Sequence, residues 1–481
     1  MAYIRKVKTA SGATAVQIAR KQKGQIVKIN HIGSAQTPEE LTILVAIARK
    51  ILHENQLELF PEKTTSDHMR LKQSYSGLLW NLLRDAYKKI GFDQLNDDIF
   101  EALCIARIVE PTSKIDSLRV LADLGIDFFK KTTIFRCLSR AVDQEYRKII
   151  SQACFDHING EMLSLVLYDV TTLYFEIQKE DNYRKSGLSK ERRLEPQIII
   201  GLIVDQNGFP LGLHSFEGNV AETKTILPVI KAFQDQYGLK RITIVADAAM
   251  LSKTNMMALQ EAGYTFIVGS RLQKVPYEIV EYQRTGQLID QQIVNSHYEG
   301  YRVIYQYREK RAALDLKNIE KQIIKAKKAV NGQITTHRIK FLSVKAKSKE
   351  LNQKLIEKAY ALAGIKGYVT NLDITDQEVI ACYHQLFQVE KTFRMAKSDL
   401  KARPIYHHKR DAIEAHLTIV LAALAISKQI EHQTGISINQ FVKILRPIRS
   451  GLIVINENEL LLEPVVPVSV KSVIDKLSSG H

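Results

Sequence analysis

Cysteine is scarce in this 481-residue chain: Cys104, Cys137, Cys154 and Cys382 are widely scattered and form no Cys-x-x-Cys pair. That spacing speaks against zinc ribbons and against a disulfide framework. No Gly-x-x-x-x-Gly-Lys-Ser/Thr run occurs, which disfavours a Walker-type nucleotide pocket. Long apolar runs are missing as well. The longest uncharged one, Leu417–Ser427, is about half the length of a membrane span and reads as a buried helix. The opening MAYIRKVKTASG has charges but no apolar core, so it does not read as a signal peptide. The expectation is a cytoplasmic protein with no membrane partner.

Negative charge is absent from the first part of the chain. No acidic residue precedes Glu39, whereas Arg5, Lys6, Lys8, Arg20, Lys21, Lys23 and Lys28 all do. Over the whole chain, 68 Lys and Arg against 52 Asp and Glu leave +16. A balance of that size points to a polyanionic partner, most often nucleic acid, with a solvated basic surface as the alternative. Hydrophobic content of 45% and charged content of 25% suit a globular protein, and the length suits two to four domains.

Along the chain, residues 1–60 read as a small basic β region. Residues 61–160 turn helical and form a possible DNA-binding region; short helices around Thr132–Ala141 have the spacing of a helix-turn-helix, or of simple helical packing. A run of strands then follows. LSLVLYDVTTLYFE (163–176) is apolar on both faces, as a central strand should be. PQIIIGLIVDQNGFPLGLHSFEGN (196–219) reads as two strands around an Asp-Gln-Asn-Gly turn. A helix at 223–237, the strand RITIVADAA (241–249), a helix from Ser252 and the strand YTFIVGSRL (264–272) complete the order of a ribonuclease-H-like sheet. The fold class is therefore α/β, with a catalytic domain over 161–272 and 366–440. A basic β/α insertion occupies 273–365, and a C-terminal region fills 441–481. In the insertion, Lys317, Lys321, Lys325, Lys327, Lys328, Arg338, Lys340, Lys345, Lys347 and Lys349 read as a DNA-facing surface or a solvated one.

Three acids stand out. Asp169 falls mid-strand among apolar neighbours, where an isolated carboxylate is costly unless paired or metal-bound. Asp247 ends another strand, and in a parallel arrangement both acids reach the same sheet edge. The third comes from the stretch after KGYVTNL (366–372), read as one long helix from about Thr375, with a Thr375-Asp-Gln-Glu378 capping box. At about 100° per residue, Tyr383, Glu390, Arg394 and Lys397 share a sector of that helix, beside an apolar sector of Leu386, Val389, Phe393, Ala396 and Leu400. The alternative for Glu390 is an ordinary surface pair with Arg394. Asp169, Asp247 and Glu390 as oxygen donors suit two Mg²⁺ ions, Mn²⁺ substituting, clamping an in-line phosphoryl displacement. Tyr383, Arg394 and Lys397 are then candidate DNA contacts.

At these residues the chain resembles the DDE transposases of bacterial insertion sequences, in the group with a Tyr-Arg-Glu-Lys motif and, within it, the insertion-sequence-1634 type. The pieces are YDVTTLYFE, VADAAMLS and YHQLFQVEKTFRMAKSDLKARPIYH, with YIRKVKTASG and IARIVEPTSK also similar. The motif spacing falls on Tyr383, Leu386, Glu390 and Lys397, so Leu386 departs from its arginine. The resemblance implies a ribonuclease-H-like domain interrupted before its last acid. It also implies metal-dependent cutting at element ends, strand transfer into double-stranded target DNA, a homodimer on paired ends and a nucleoid-associated location. Relatives in the wider superfamily use an aromatic residue of the insertion to hold a flipped base; Trp80, the only tryptophan, lies outside the insertion, which leaves Tyr301, Tyr305 or Tyr307 as alternatives for that role. A nuclease that does not join ends, or a DNA-binding regulator descended from a transposase, remain the competing readings.

Overall fold

The computed structural model describes the chain except residues 1, 10–11, 23, 54–68, 161–162, 177–178, 188–194, 240–241, 249–251, 271, 273–274, 287, 299, 336–338, 346–347, 404, 406, 408, 456–457 and 479–481. Of the basic residues singled out above, Lys23, Arg338 and Lys347 lie outside the described residues, as do Ala249–Leu251 of the second acidic motif. The chain divides into two compact units, Met1–Met69 and Arg70–His481.

In the first unit, β1 (Ala2–Lys8), β2 (Thr14–Gln22) and β3 (Gln25–Ala35) form an antiparallel meander followed by α1 (Pro38–His53). Thr37 and Glu40 exchange side-chain-to-backbone bonds at the start of α1, at 3.2 and 3.3 Å, which satisfies helix amides that have no partner inside the helix. Val16, Ile18 and Ala48 form its small core.

Strand β4 (Met69–Tyr75) spans the boundary, and the second unit continues with the helices α2 (Gly77–Lys89), α3 (Asp98–Val109), α4 (Ser117–Asp123), α5 (Lys131–Asp143) and α6 (Tyr146–His157). Asp97 caps α3 by accepting from Phe100 N at 3.2 Å and also receives Arg140 and Tyr146, locking α3, α5 and α6 together. Arg107 and Lys114, from the IARIVEPTSK segment, are buried with His416. Burial pushes the Lys114 ammonium and the His416 imidazole well down, so both tend to lose charge.

The centre is an eight-stranded sheet. Its strands are β5 (Leu165–Tyr174), β6 (Gln197–Val204), β7 (Pro210–Glu217), β8 (Thr243–Ala246), β9 (Thr265–Gly269), β10 (Ile293–Tyr298), β11 (Tyr301–Tyr307) and, later, β14 (Ile365–Thr370). Helices α7 (Ile226–Tyr237), α8 (Lys253–Glu261) and α9 (Tyr277–Thr285) connect them. The spatial order is β10-β11-β14-β9-β8-β5-β6-β7. Strands β5, β6 and β7 are antiparallel neighbours, and β8 and β9 run parallel to β5. This mixed sheet fits the expected ribonuclease-H-like order. The turn between β6 and β7 is built by Asp205, whose Oδ1 accepts from Asn207 N and Phe209 N, with Gly208 at φ +83°.

Residues 273–365 hold a finding that the charge pattern does not reveal. Hairpin β10–β11 joins the edge of the central sheet through β14. The remainder, α10 (Glu309–Val330), β12 (Leu342–Lys345), β13 (Ser348–Leu351) and α11 (Gln353–Ala361), surrounds a separate core of Ile319, Ala326, Phe341 and Ile356.

The single long helix expected from Thr375 is not what forms. After the Thr375–Glu378 capping box, α12 (Asp376–His384) ends, Gln385 and Leu386 turn, and α13 (Phe387–Arg394) runs into a π-helical turn, Met395–Asp399. The reason is tertiary. The first helix packs on β8, β9 and β14, the second on β5 and β6. A sheet twists by about 20–25° per strand, so one straight helix cannot follow both ends of that path. Thr392 Oγ1 fixes the second half by donating to Gly208 O at 2.8 Å.

Helix α14 (Arg410–Thr434) is long and apolar enough to cross a membrane by length and composition, yet Leu417–Ser427 is buried against α3, α5 and β7. This is the buried helix that the apolar run suggests. The chain closes with α15 (Ile438–Leu445), β15 (Ser450–Ile455), β16 (Asn458–Leu462) and α16 (Val468–Ser478).

Candidate active site

The site grows from strand register. Tyr168 of β5 pairs with Ala246 of parallel β8, and Ala246 with Val268 of β9. One residue further along, Asp169, Asp247 and Gly269 therefore stand at the same level, and Gly269 pairs with Tyr368 of β14. Parallel pairing in this register brings two acids from distant sequence onto neighbouring strands, about 4.8 Å apart. Side chains alternate along a strand, so Asp169 and Thr171 share a face of β5, and Lys366 shares the face of Tyr368 on β14.

Each aspartate is oriented by the next amide. Asp169 Oδ1 accepts from Val170 N at 2.8 Å, and Asp247 Oδ1 from Ala248 N at 2.7 Å. Asp247 Oδ1 also accepts from the Tyr383 hydroxyl at 3.3 Å. Tyr383 is buried at the end of α12, with its ring edge-on to Tyr368 at 4.9 Å and the Lys366 ammonium 4.3 Å from its centroid. Burial and the neighbouring Asp247 push the Tyr383 phenol up, so it remains a protonated donor. Gly269 makes room for it. A Cβ there would lie 2.7 Å from the Tyr383 hydroxyl.

Glu390 is exposed on α13. It stands within electrostatic reach of the same Tyr383 and Lys366 that face Asp247. Burial lowers the Lys366 ammonium, and Asp247 and Glu390 act in the opposite direction. On the other side, Lys397 lies in the π-helical turn and donates to Thr171 Oγ1, two residues beyond Asp169 on the same face. Arg394 is exposed at the end of α13. Leu386, at the position of the motif's arginine, is only 7% exposed, and a guanidinium has no place there.

Of the six residues the sequence singles out, five gather on this edge and Arg394 lies one helical turn beyond Glu390. Among the described residues, no three acidic, histidine or cysteine side chains form a ready metal-binding group. Asp169 and Asp247 stand adjacent, while Glu390 is not drawn in to close on them. The donor set still fits a hard divalent cation. It consists of carboxylate oxygens alone, and Asp247 Oδ2 has no protein partner among the described residues. Like-charged carboxylates repel one another, so a gap between them is the arrangement expected of the protein side chains alone.

A cavity of about 830 Å³ lies elsewhere. Lined by His157, Asp205, Phe209, Lys428 and Glu431 among others, it sits at the opposite end of β5, beside Ser164 and Leu165. The acids occupy an open edge instead, which suits a long polymer better than a small molecule.

Compared with known protein families, residues 161–426 match the transposase DDE domain, a span that includes all three acids and the motif around Glu390. The chain belongs to the DDE transposase family. Members of this family are polynucleotidyl transferases or nucleases and generally use divalent metal ions. No curated protein matches this transposase. Among solved structures, piggyBac transposase in a cryo-EM synaptic complex with hairpin DNA is similar at TM-score 0.43 and 11% identity, over 74% of this chain and 70% of that one.

Sequence reasoning passed over several residues that surround the candidate site: Thr171, Gly269, Lys366 and Tyr368. Lys366 and Tyr368 stand in the quoted strand KGYVTNL, but only the pairing of β14 with β9 shows that they flank the acids. Gly269 ends a strand in a way that sequence alone gives no reason to notice.

Proposed function

We propose that this transposase is of the insertion-sequence type with the Tyr-Arg-Glu-Lys arrangement, related to the insertion-sequence-1634 group, on a ribonuclease-H-like domain. It cuts double-stranded DNA at the ends of its element and joins the freed 3′ ends to a target. The observation that supports this most directly is the level formed by Asp169 and Asp247 on adjacent parallel strands, with Glu390 within electrostatic reach of the Tyr383 and Lys366 that flank it.

Asp169, Asp247 and Glu390 would hold two Mg²⁺ or Mn²⁺ ions. The chemistry those ions supply is activation of the attacking water or 3′-hydroxyl and stabilisation of the leaving oxygen. The chain's own groups do the rest. Tyr383 fixes the rotamer of Asp247 through its hydroxyl. Lys397 is held over β5 by Thr171, where its charge meets a phosphate entering beside Asp169. Arg394, exposed, contacts the backbone further out. A homodimer on paired ends and a nucleoid-associated location complete the reading. The exposed side of α5, with Lys131, Thr132, Phe135 and Arg136, is a further candidate DNA contact.

The test uses purified protein and a DNA fragment bearing the ends of the element that encodes it, with Mg²⁺ or Mn²⁺. Cleavage at the ends followed by joined products, both lost in Asp247→Asn and on chelation, is the expected result. Cleavage without joining in any metal would leave a nuclease, and tight binding without cleavage would leave a regulator.

A further inference from the structure

The sheet register that assembles the acids also assembles a group of cations beside them, from a part of the chain that the acidic motifs do not include. In the antiparallel pair β11–β14, Gln306 pairs with Lys366 and Tyr307 with Ile365. The pairing continues one step further, where Arg308 N donates to Gly364 O at 2.9 Å. Positions 364, 366 and 368 share a face, so Arg308, opposite 364, projects on the side of Lys366 and Tyr368. That is the face of the Asp169–Asp247–Gly269–Tyr368 level. Arg311 follows Arg308 by three residues in the first turn of α10, on the same side of that helix. His384, at the end of α12, has its Nε2 3.5 Å from the Tyr368 hydroxyl and closes the group from above.

These cations are weakly committed to the protein. Among the described residues, Arg308 pairs only with Asp290, at 4.0 Å, and Arg311 only with its exposed i,i+4 neighbour Asp315, at 3.5 Å. Exposed pairs of this kind contribute little and exchange readily for a stronger acceptor. Among the described residues Lys366 has no ion pair; it stands over the faces of Tyr383 and Tyr368, at 4.3 and 5.9 Å from the ring centroids. Electrostatic coupling among Lys366, Arg311, Arg308 and His384 agrees with their convergence. Three cations with no strong internal partner, set beside two carboxylates on one sheet face, are placed to take an anion that is also a substrate of those carboxylates.

We infer that Arg308, Arg311 and Lys366 form a phosphate cradle that holds the DNA strand flanking the bond to be cut. The cradle lies two strands from Asp247 at β14 and three at β11, about 10–14 Å at 4.8 Å per strand. At about 3.4 Å per nucleotide along a duplex strand, it holds phosphates within roughly four nucleotides of the cut. With Lys397 and Thr171 on the β5 side, the strand would cross the acidic level from β11 to β5, gripped at both ends. These are positioning residues, and the inference rests on the catalytic reading of the edge.

The experiment measures binding of a 30-base-pair duplex by fluorescence anisotropy across a salt series, in Ca²⁺ to prevent turnover. Each lost phosphate contact lowers the slope of log K against log salt by about 0.9. The triple variant Arg308→Gln, Arg311→Gln, Lys366→Met should lose about two to three units of slope with an unchanged circular dichroism spectrum, and Lys366→Arg should keep the wild-type slope. Should the triple variant misfold, the exposed Arg311→Gln alone is the test, with a loss approaching one unit. An unchanged slope in a folded variant overturns the cradle. Binding needs no catalysis, so cleavage by the wild-type protein is scored separately, and an inactive protein with the expected slopes would remove the catalytic reading while leaving the cradle.

Discussion

Adding one methyl group at Gly269 should show whether the packing around Asp247 is as tight as its geometry implies. Gly269 ends β9 in extended backbone, so alanine meets no conformational penalty and any effect is steric. Its Cβ would lie 2.7 Å from the Tyr383 hydroxyl and 3.2 Å from the Ala248 Cβ. Comfortable contact needs roughly 3.5 Å, so the hydroxyl must retreat by about 0.8 Å. The Tyr383–Asp247 bond is already 3.3 Å long, and that retreat takes it beyond hydrogen-bonding range. The ring cannot swing freely, because Tyr368 and Lys366 sit against it. Overpacking costs about 1–3 kcal/mol, and losing a hydrogen bond to a charged group about 1.5–3 kcal/mol, with partial overlap between the two. Gly269→Ala should therefore lower unfolding stability by about 2–4 kcal/mol. If Asp247 also loses its orientation, cleavage should fall by an order of magnitude or more. The decisive assay is a double-mutant cycle with Tyr383→Phe, read by urea denaturation. Phenylalanine removes the atom that clashes, so the alanine should cost at least 1 kcal/mol less in that background, an estimate set by the coupling expected of touching residues. An additive cycle would refute the steric reasoning, and with it the claim that Gly269 is empty to admit Tyr383.

Asp169→Asn, Asp247→Asn and Glu390→Gln should each abolish cleavage while leaving DNA affinity within a few-fold, a factor in line with about 1 kcal/mol; residual metal-dependent cleavage in any one removes that residue from the site. Leu386→Arg, which restores the family motif, should destabilise the protein by about 2–5 kcal/mol because the position is only 7% exposed. A melting temperature equal to wild type would show that α12 and α13 can open there. His214 supplies a pH test. Burial, reinforced by Arg147, pushes its imidazole down to about 4. The unfolded chain then takes up a proton near pH 6.5 and the folded one does not, so this contribution to stability is complete above pH 6.5 and is lost as pH falls towards 4. The slope should approach 1.4 kcal/mol per pH unit as an upper bound, since His214 is partly exposed. In His214→Gln, denaturation midpoints between pH 6.5 and 4.5 should fall less steeply, and an identical slope would rule the residue out as the cause.

The candidate site is legible from local sequence. A carboxylate in the apolar strand around Asp169, another at the end of an apolar strand at Asp247, and the spacing of Tyr383, Glu390 and Lys397 all survive as one-dimensional patterns, because burying a charge in a strand demands a reason that the neighbouring residues make visible. Strands β5 to β9 are legible for the same cause, through apolar runs broken by turn residues such as Asp205 and Gly208. Tertiary structure decided what depended on partners far away in the chain. A straight helix from Thr375 satisfies every local preference, yet it breaks at Gln385–Leu386 because its two halves rest on different parts of a twisted sheet. Strands β10 and β11 sit within a basic segment that reads as an insertion, but register with β14 makes them the edge of the catalytic sheet. The empty space at Gly269, the hold of Thr171 on Lys397 and the convergence of Lys366, Arg308 and Arg311 are contacts between residues that no periodicity links. They exist only once β14 pairs with β9 and the two helices after Thr375 pack on β9 and β5.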